Sequence, residues 1–193
     1  MKLKKILEET IGESTLSRVW QHVTNSKSFA VISPFRSENP LEKNLELYDQ
    51  LKKDVSGLGH GYIQQKSGYT YADGTPAEER SLLIPNISFE DAVKLGKKYN
   101  QETIIFKDAE QFILYNPTTK EIVMNFSKDK GLTFDPEVLK YAYSEFLKSK
   151  SKNVKPFAFV VKEFHDPSRT DSYRALKEKS GLPEGEWKVL FSS

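Results

Sequence analysis

The sequence of 193 residues contains no cysteine and only three histidines. Without cysteine there is no disulfide bond, no thiolate nucleophile and no zinc site of the cysteine type. The three histidines, His22, His60 and His165, lie far apart in the chain, so we predict no histidine metal site and no cofactor. The absence of cysteine therefore excludes thiol catalysis, disulfide exchange and cysteine-based zinc binding.

Long apolar runs are also missing. No stretch reaches the ~18 to 20 apolar residues that span a bilayer, and MKLKKILEETIGES is too acidic and too weakly apolar for a secretory signal. Hydrophobic residues make up 37% of the chain and charged residues 29%, which suits a globular interior rather than a disordered chain. We therefore expect a folded protein of the cytoplasm with no membrane role.

The net charge of +2 is too small to indicate a polyanionic partner by itself. Basic residues do concentrate in the segment LKSKSKNVKP. This segment is either a solvated linker or a patch that binds phosphate groups, as in a nucleic acid. The lysines concerned are Lys148, Lys150, Lys152 and Lys155.

The order of predicted elements mixes single helices with groups of short strands. This order predicts an α+β fold with a mostly antiparallel or mixed sheet, helices packed on it, and a C-terminal α/β extension. We divide the chain into an N-terminal helical segment (1–27), an α+β core domain (28–126) and a helix-strand-helix extension (127–193). The extension is expected to pack on the core.

Local signals predict several element boundaries. Asn39 is predicted to cap a helix whose first residue is Pro40, with Glu42 closing a capping box. Ser88 is predicted to cap the next helix. GYIQQKSGYTYADG is predicted to form two strands joined through Ser67-Gly68, EVLKYAYSEFL a helix, and DPSRTDSYRALKEKSG a closing helix.

An asparagine, Asn44, occupies an inward position of the first of these helices. At helical spacing it shares a stripe with apolar residues, and a buried amide without a partner costs ~1 to 3 kcal/mol. Asn44 therefore needs a hydrogen-bond partner. The stripe consists of Leu41, Asn44, Tyr48, Leu51 and Val55.

The glycine-rich segment GLGHGYIQQKSGYTYADG lacks the lysine and serine of a phosphate-binding loop and does not open a helix. It is either a twisted hairpin or a loop that cradles a ligand. Alternation would place His60, Tyr62 and Gln64 on one face of the first strand, and Tyr69 and Tyr71 on one face of the second. Tyrosine and histidine side chains would then gather in one region.

In EERSLLIP, alternation places Glu79 on the same face as Ser81, at the entrance of an apolar strand. A carboxylate there needs a partner. We predict an ion pair between Glu79 and Arg36, either as a structural contact or as part of a catalytic site.

The segments FAVISPFR, GYIQQKSGYTY, EERSLLI and AVKLGKKYNQETIIF, in that order, resemble a small bacterial and phage family known only as a domain of unknown function. The likeness covers about residues 28–115. The chain departs from the family at SPFR, where the family more often has an asparagine before the proline, so Arg36 is not carried over. The residues that match the family pattern are Ser33, Asn44, Glu79, Ser81, Tyr99 and Gln101.

Two functions follow as hypotheses. The first, suggested by the resemblance and by a phage-like N-terminal segment, is a phage or bacterial accessory protein that binds a protein partner in the virion or host cytoplasm. The second is a small enzyme or binding protein for a nucleotide or another phosphate-bearing ligand, with Glu79 as base and Arg36 or His60 as anion clamp. The candidate residues form either a structural network or a polar pocket: Ser33, Arg36, Asn44, His60, Tyr62, Tyr69, Glu79, Ser81 and Gln101.

Overall fold

The computed structural model describes residues 27–70 and 76–128, with the shorter pieces 132–133, 139, 142–147, 156–159 and 161–164. The predicted N-terminal helix, the closing helix and the four clustered lysines lie outside these ranges. No helix in the described part of the chain is long and apolar enough to cross a membrane.

The centre of the fold is an eight-stranded sheet in which every pairing is antiparallel. Its strands are β1 (Phe29–Ile32), β2 (Ile63–Thr70), β3 (Pro76–Pro85), β4 (Ile104–Lys107), β5 (Phe112–Asn116), β6 (Glu121–Phe126), β8 (Ala142–Phe146) and β10 (Val161–Phe164). They lie in the order β10-β6-β5-β4-β1-β3-β2-β8. Two short strands, β7 (Leu132–Thr133) and β9 (Ala158–Phe159), pair separately.

Two helices, α1 (Leu41–Gly57) and α2 (Phe89–Lys98), pack on one face of this sheet, here called the helix face. The predicted α+β fold with an antiparallel sheet is therefore confirmed. The opposite face, here called the second face, carries its own aromatic core. That core contains Phe29, Val31, Leu83, Phe112, Phe126 and Phe157.

Strand β1 shows why the sheet has two buried faces. All four of its residues are buried, and alternate side chains go to opposite sides. Ala30 and Ile32 join the core under the helices, whereas Phe29 and Val31 join the aromatic core of the second face. A short continuous apolar run is what a strand covered on both faces requires.

Helix α1 begins one residue later than predicted. Pro40 holds the N-cap position with an extended backbone, no side chain caps the helix, and the predicted capping box is not formed. Asn39 contacts the helix in another way, because its side-chain Nδ2 donates to Asn44 Oδ1 at 3.3 Å. The predicted cap of α2 is confirmed, because Ser88 Oγ accepts from the backbone N–H of Asp91 at 3.0 Å.

Two further predictions are wrong. Ser67-Gly68 does not form a turn, because β2 continues through it and Gly68 pairs with both Glu78 and Tyr143. The predicted helix over EVLKYAYSEFL is wrong at residues 142–146, which form strand β8, whereas Leu139 near the start of the segment is helical. The edge of β2 offers a hydrogen-bonding ladder to this segment, and such long-range pairing outweighs a modest helix preference.

Strands from beyond residue 126 belong to the same sheet as the rest. Strand β8 pairs with β2, and β10 pairs with β6. The domain boundaries predicted from the sequence stay a prediction.

Candidate functional site

Asn44 lies on the helix face, where it bonds to the main chain of the loop that follows β1. Its Oδ1 accepts from the N–H of Arg36 at 3.0 Å, and its Nδ2 donates to the carbonyl of Arg36 at 2.9 Å. The residue is 6% exposed. Its amide therefore bonds to both main-chain groups of a loop residue, and the carbonyl of that residue also accepts from the N–H of Asn39 at 3.2 Å.

The guanidinium of Arg36 lies in the same region and does not approach Glu79. Its Nε donates to Glu38 Oε1 at 2.9 Å, and its Nη1 donates to the carbonyl of Asn100, just after α2. Glu79 shares the second face with Leu83, on the other side of the sheet. The predicted ion pair between Arg36 and Glu79 is wrong because the sheet separates them.

Gln101 and Tyr99 follow helix α2. The Nε2 of Gln101 donates to the carbonyl of Tyr99 at 3.3 Å, and the residue is buried. Tyr99 Oη donates to Asp54 Oδ2 at 2.5 Å, which links α2 to α1. Gln101 thus satisfies a local turn, and it meets neither Asn44 nor Glu79.

His60 and Tyr62 lie between α1 and β2, away from the other candidates. The N–H of His60 donates to the carbonyl of Val55, and Tyr62 packs against the core under the helices. The backbone of Tyr69 pairs with Ala77 and Ala142, and its side chain lies outside the described part of the structure. The predicted gathering of these residues in one region is not observed for His60 and Tyr62.

Three candidates, Ser33, Glu79 and Ser81, do meet on the second face, where residues of β2 and β8 join them. Ser67 Oγ lies 3.3 Å from Ser81 Oγ and 3.1 Å from Ser144 Oγ. Ser81 Oγ donates to Gln65 Oε1 at 3.5 Å. We call this group the serine–glutamate cluster, and its members are Ser33, Gln65, Ser67, Glu79, Ser81 and Ser144.

Sheet register explains the arrangement. In the antiparallel pairing of β2 with β3, Gln65 lies opposite Ser81 and Ser67 lies opposite Glu79, while Ser67 faces Ser144 on β8. Residues two apart on a strand share a face, so these positions form a small grid of polar side chains.

The cluster has a buried floor and a more accessible rim. Gln65 is 0% exposed and Ser81 is 1% exposed, whereas Ser67, Glu79 and Ser144 are half-buried. At the floor, Gln65 Nε2 is buried and has no hydrogen-bond partner within the part of the chain that the structure describes. An amide donor in that position normally carries a cost of ~1 to 3 kcal/mol.

Burial raises the pKa of the Glu79 carboxyl to about 7, although a hydrogen bond with Ser33 acts in the opposite direction. Ser33 Oγ also donates to the carbonyl of Arg80 at 3.0 Å and accepts from the N–H of Phe35 at 3.1 Å. A serine hydroxyl has one hydrogen, so it serves either the Arg80 carbonyl or the Glu79 carboxylate. The side chain of Glu79 can therefore donate or accept a hydrogen bond near neutral pH.

The described residues contain no group of three or more histidine or carboxylate side chains placed to hold a metal ion. The cluster instead offers hydroxyl, amide and carboxyl groups, which bind polar molecules through hydrogen bonds.

Sequence reasoning missed Gln65, Ser67 and Ser144. The signal for the first two was present, because Gln65 and Ser67 alternate along QQKS just as Glu79 and Ser81 do along EERS. The predicted turn at Ser67-Gly68 was the reason that this alternation was not interpreted as one continuous strand. Ser144 had no usable signal, since its segment was predicted to be helical.

The chain matches no curated protein. A match to a family model covers residues 17–104, and the description of that family is "Protein of unknown function (DUF3293)". The matched range includes every member of the serine–glutamate cluster except Ser144. The resemblance to a family of unknown function is confirmed in this form: residues 17–104 of the chain match the model of that family.

Proposed function

We propose that this protein binds a small polar molecule at the serine–glutamate cluster. The observation that carries the proposal is the fully buried Nε2 of Gln65, which donates to nothing in the described structure. Nearly all buried polar atoms of folded proteins have partners, and an exception calls for a bound molecule or another specific reason. A ligand acceptor would supply the missing hydrogen bond.

The rim of the cluster supports this function. Ser67, Glu79 and Ser144 are half-buried, and Ser67 lies two residues from Gln65 on the same face of β2, so the cluster includes groups that solvent partly reaches. A carboxyl whose pKa is raised to about 7 can also exchange a proton with a ligand at neutral pH. Glu79 is therefore the residue to which we attribute any acid–base step.

The geometry gives less support to a phosphate-bearing ligand. That hypothesis needed Arg36 as an anion clamp beside Glu79, and Arg36 binds Glu38 and the Asn100 carbonyl on the helix face instead. The cluster itself contains no lysine or arginine. A phosphate held there would face the Glu79 carboxyl without a counter-charge from the part of the chain that the structure describes.

A thermal-shift screen with small amide-, hydroxyl- and phosphate-bearing molecules, nucleotides included, tests the proposal. A ligand that binds only the folded state stabilises it by an amount that grows with the logarithm of the ligand concentration relative to Kd, so it raises Tm. We expect at least one molecule to raise Tm of the wild type but not of Gln65→Met. The matched control is Gln64→Met. Gln64 precedes Gln65 on β2, pairs with Leu82 and directs its side chain to the helix face.

The control should respond like the wild type. If no molecule in the screen changes Tm, or if one changes Tm of Gln65→Met as much as that of the wild type, the proposal is wrong.

A second candidate is the virion-associated or host-directed interaction module of a phage or bacterium, which stays a prediction. One observation favours it: Leu41 is 66% exposed at the start of α1. It lines a shallow depression together with Leu45 and three acidic residues, Glu42, Glu46 and Asp49. The partner that fits is a protein surface with an apolar residue ringed by basic ones.

To test this candidate, the wild type, Leu41→Lys and Leu58→Lys are used to capture proteins from virions and host lysate. Leu58 is the control, since it is 47% exposed at the other end of α1. A partner retained by the wild type and by Leu58→Lys but lost by Leu41→Lys supports the module. Capture that is insensitive to Leu41→Lys contradicts it.

A further inference from the structure

We infer that the ligand of the serine–glutamate cluster is an uncharged molecule that carries a carbonyl oxygen next to a hydrogen-bond donor, as a carboxamide does. This inference rests on the proposed function and names the chemical class of the ligand. It follows from the charges around the cluster, from its unused hydrogen-bonding atoms and from their spacing.

The charges of the described residues around the cluster disfavour a strongly anionic ligand. Glu79 is the only ionisable side chain among the six cluster residues. Two cations flank the cluster along the strands: Lys66 precedes Ser67, and Arg80 follows Glu79. They lie opposite each other, and alternation directs both side chains to the helix face. Lys66 Nζ is also 2.6 Å from Glu78 Oε1, so its charge is already paired. An anion in the cluster would therefore lose its hydration without gaining a counter-charge from the described residues.

The buried end of the cluster indicates a ligand with a hydrogen-bond acceptor. Gln65 Oε1 already accepts from Ser81 Oγ, whereas Gln65 Nε2 carries two N–H groups with no acceptor in the described structure. A carbonyl oxygen is the common uncharged group with two lone pairs directed for such donors. The unpaired Nε2 thus indicates a ligand carbonyl rather than a ligand amine.

The Glu79 side chain at the rim indicates that the ligand also carries a hydrogen-bond donor. Glu79 is half-buried, and Ser33, its hydrogen-bonding neighbour, also donates to the Arg80 carbonyl and has only one hydrogen. A charged Glu79 therefore has room for a ligand N–H or O–H. Because burial raises the pKa of this carboxyl to about 7, its neutral form can alternatively donate to a second ligand oxygen.

The spacing suits one compact group. Gln65 is directly opposite Ser81, and Glu79 is two residues from Ser81 on the same strand, so Gln65 and Glu79 are diagonal neighbours on one face. Diagonal positions in an antiparallel pair are ~7 to 8 Å apart. This is the separation of the backbone positions, and both long side chains extend from it on the same face, so one compact group between them can contact both.

Nuclear magnetic resonance of the ¹⁵N-labelled full chain tests the inference, with acetamide and acetate as probes. The two molecules have nearly the same size and shape, but acetate is charged at pH 7. The side-chain NH₂ signals of Gln65 are identified by their loss in Gln65→Met, and those of Gln64 serve as the internal control. We expect acetamide to shift the Gln65 signals saturably and to bind at least tenfold more tightly than acetate, without affecting Gln64.

Each other outcome overturns the inference. If acetate binds as tightly as acetamide, or more tightly, the ligand class is wrong while the proposed function stands. If neither probe shifts the Gln65 signals, the inference is also wrong. In that case the thermal-shift screen decides separately whether the cluster binds any other polar molecule.

Discussion

The amide of Asn44 bonds to both main-chain groups of one residue, Arg36, with an accepting contact of 3.0 Å and a donating contact of 2.9 Å. This pair joins the first turn of α1 to the loop that leaves β1. An asparagine in an otherwise apolar stripe is thereby explained, because the N–H of Arg36 would otherwise lack its partner and the Arg36 carbonyl would keep only the N–H of Asn39. The contact serves the structure rather than a ligand.

Replacing Asn44 by leucine should leave the N–H of Arg36 without its partner, whereas the Arg36 carbonyl keeps the N–H of Asn39 at 3.2 Å. We expect the free energy of unfolding to fall by about 1 to 3 kcal/mol. Urea denaturation measures this as a lower midpoint at an unchanged slope. Glu46→Leu, at an exposed position of the same helix, is the control and should change stability by less than ~0.5 kcal/mol. Equal midpoints for wild type and Asn44→Leu would show that the contact is dispensable.

Glu79 should make stability depend on pH. Its pKa is raised from 4.5 to about 7 in the folded protein, so the folded state binds the proton more tightly than the unfolded chain. The stability from this group is therefore fully present below pH 4.5 and is lost as pH rises through about 7. Above that pH range the ionised Glu79 no longer adds to the free energy of unfolding.

Glu79→Gln isolates this effect. The free energy of unfolding of the wild type, minus that of Glu79→Gln, should decrease steadily when urea titrations are repeated between about pH 4.5 and pH 8. The same difference taken with Glu110→Gln, an exposed glutamate, should stay flat. A Glu79→Gln difference that is constant or increases with pH would contradict the burial of this carboxyl.

Tyr99→Phe should weaken the contact between the two helices. The variant loses the hydrogen bond of 2.5 Å from Tyr99 Oη to Asp54 Oδ2, although Lys98 Nζ remains 2.6 Å from the same oxygen. We expect a loss of about 1.5 kcal/mol, since the acceptor is charged but keeps a second partner. Tyr115→Phe is the matched control, because Tyr115 is half-buried and its ring packs on Phe89. Thermal denaturation that gives equal Tm values for the two variants would argue against the interhelical bond.

Gly96→Ala should destabilise the protein through overpacking. A Cβ atom at this position of α2 would lie 2.9 Å from Ile104 Cγ2 and 3.1 Å from Pro117 Cγ, so strand β4 or the loop after β5 must shift. A loss of about 1 to 3 kcal/mol is expected. Gly57→Ala at the end of α1 meets no atom within 4 Å and should not be destabilising. If chemical denaturation finds both alanine variants equally stable, α2 is not packed this closely on the sheet.

The elements predicted correctly from sequence depend on local rules. Alternation and apolar runs located β1 and the C-terminal part of β3. Helical spacing identified Asn44 as an inward residue, and Ser88 was predicted as a cap from its own side chain. Each of these features is decided by neighbours within a few residues. Their physical causes are therefore visible in a single segment.

The serine–glutamate cluster depends on contacts that no single segment contains. Ser67 meets Ser144 across 77 positions of sequence, and this contact exists only because β8 pairs with β2 in one register. Arg36 was matched with Glu79 by charge, yet β1 and β3 place the two on opposite sides of the sheet. Long-range strand order and register decide which polar residues meet.

A crystal structure that resolves ordered waters and small ligands, grown with acetamide, tests the central claim most directly. We predict a ligand oxygen ~2.7 to 3.2 Å from Gln65 Nε2, with the ligand nitrogen directed at Glu79. The contradicting result is an empty cluster in which the amide of Gln65 is reversed and Nε2 donates to Ser81 Oγ. In that arrangement the protein satisfies its own buried donor, and no ligand is needed to explain it.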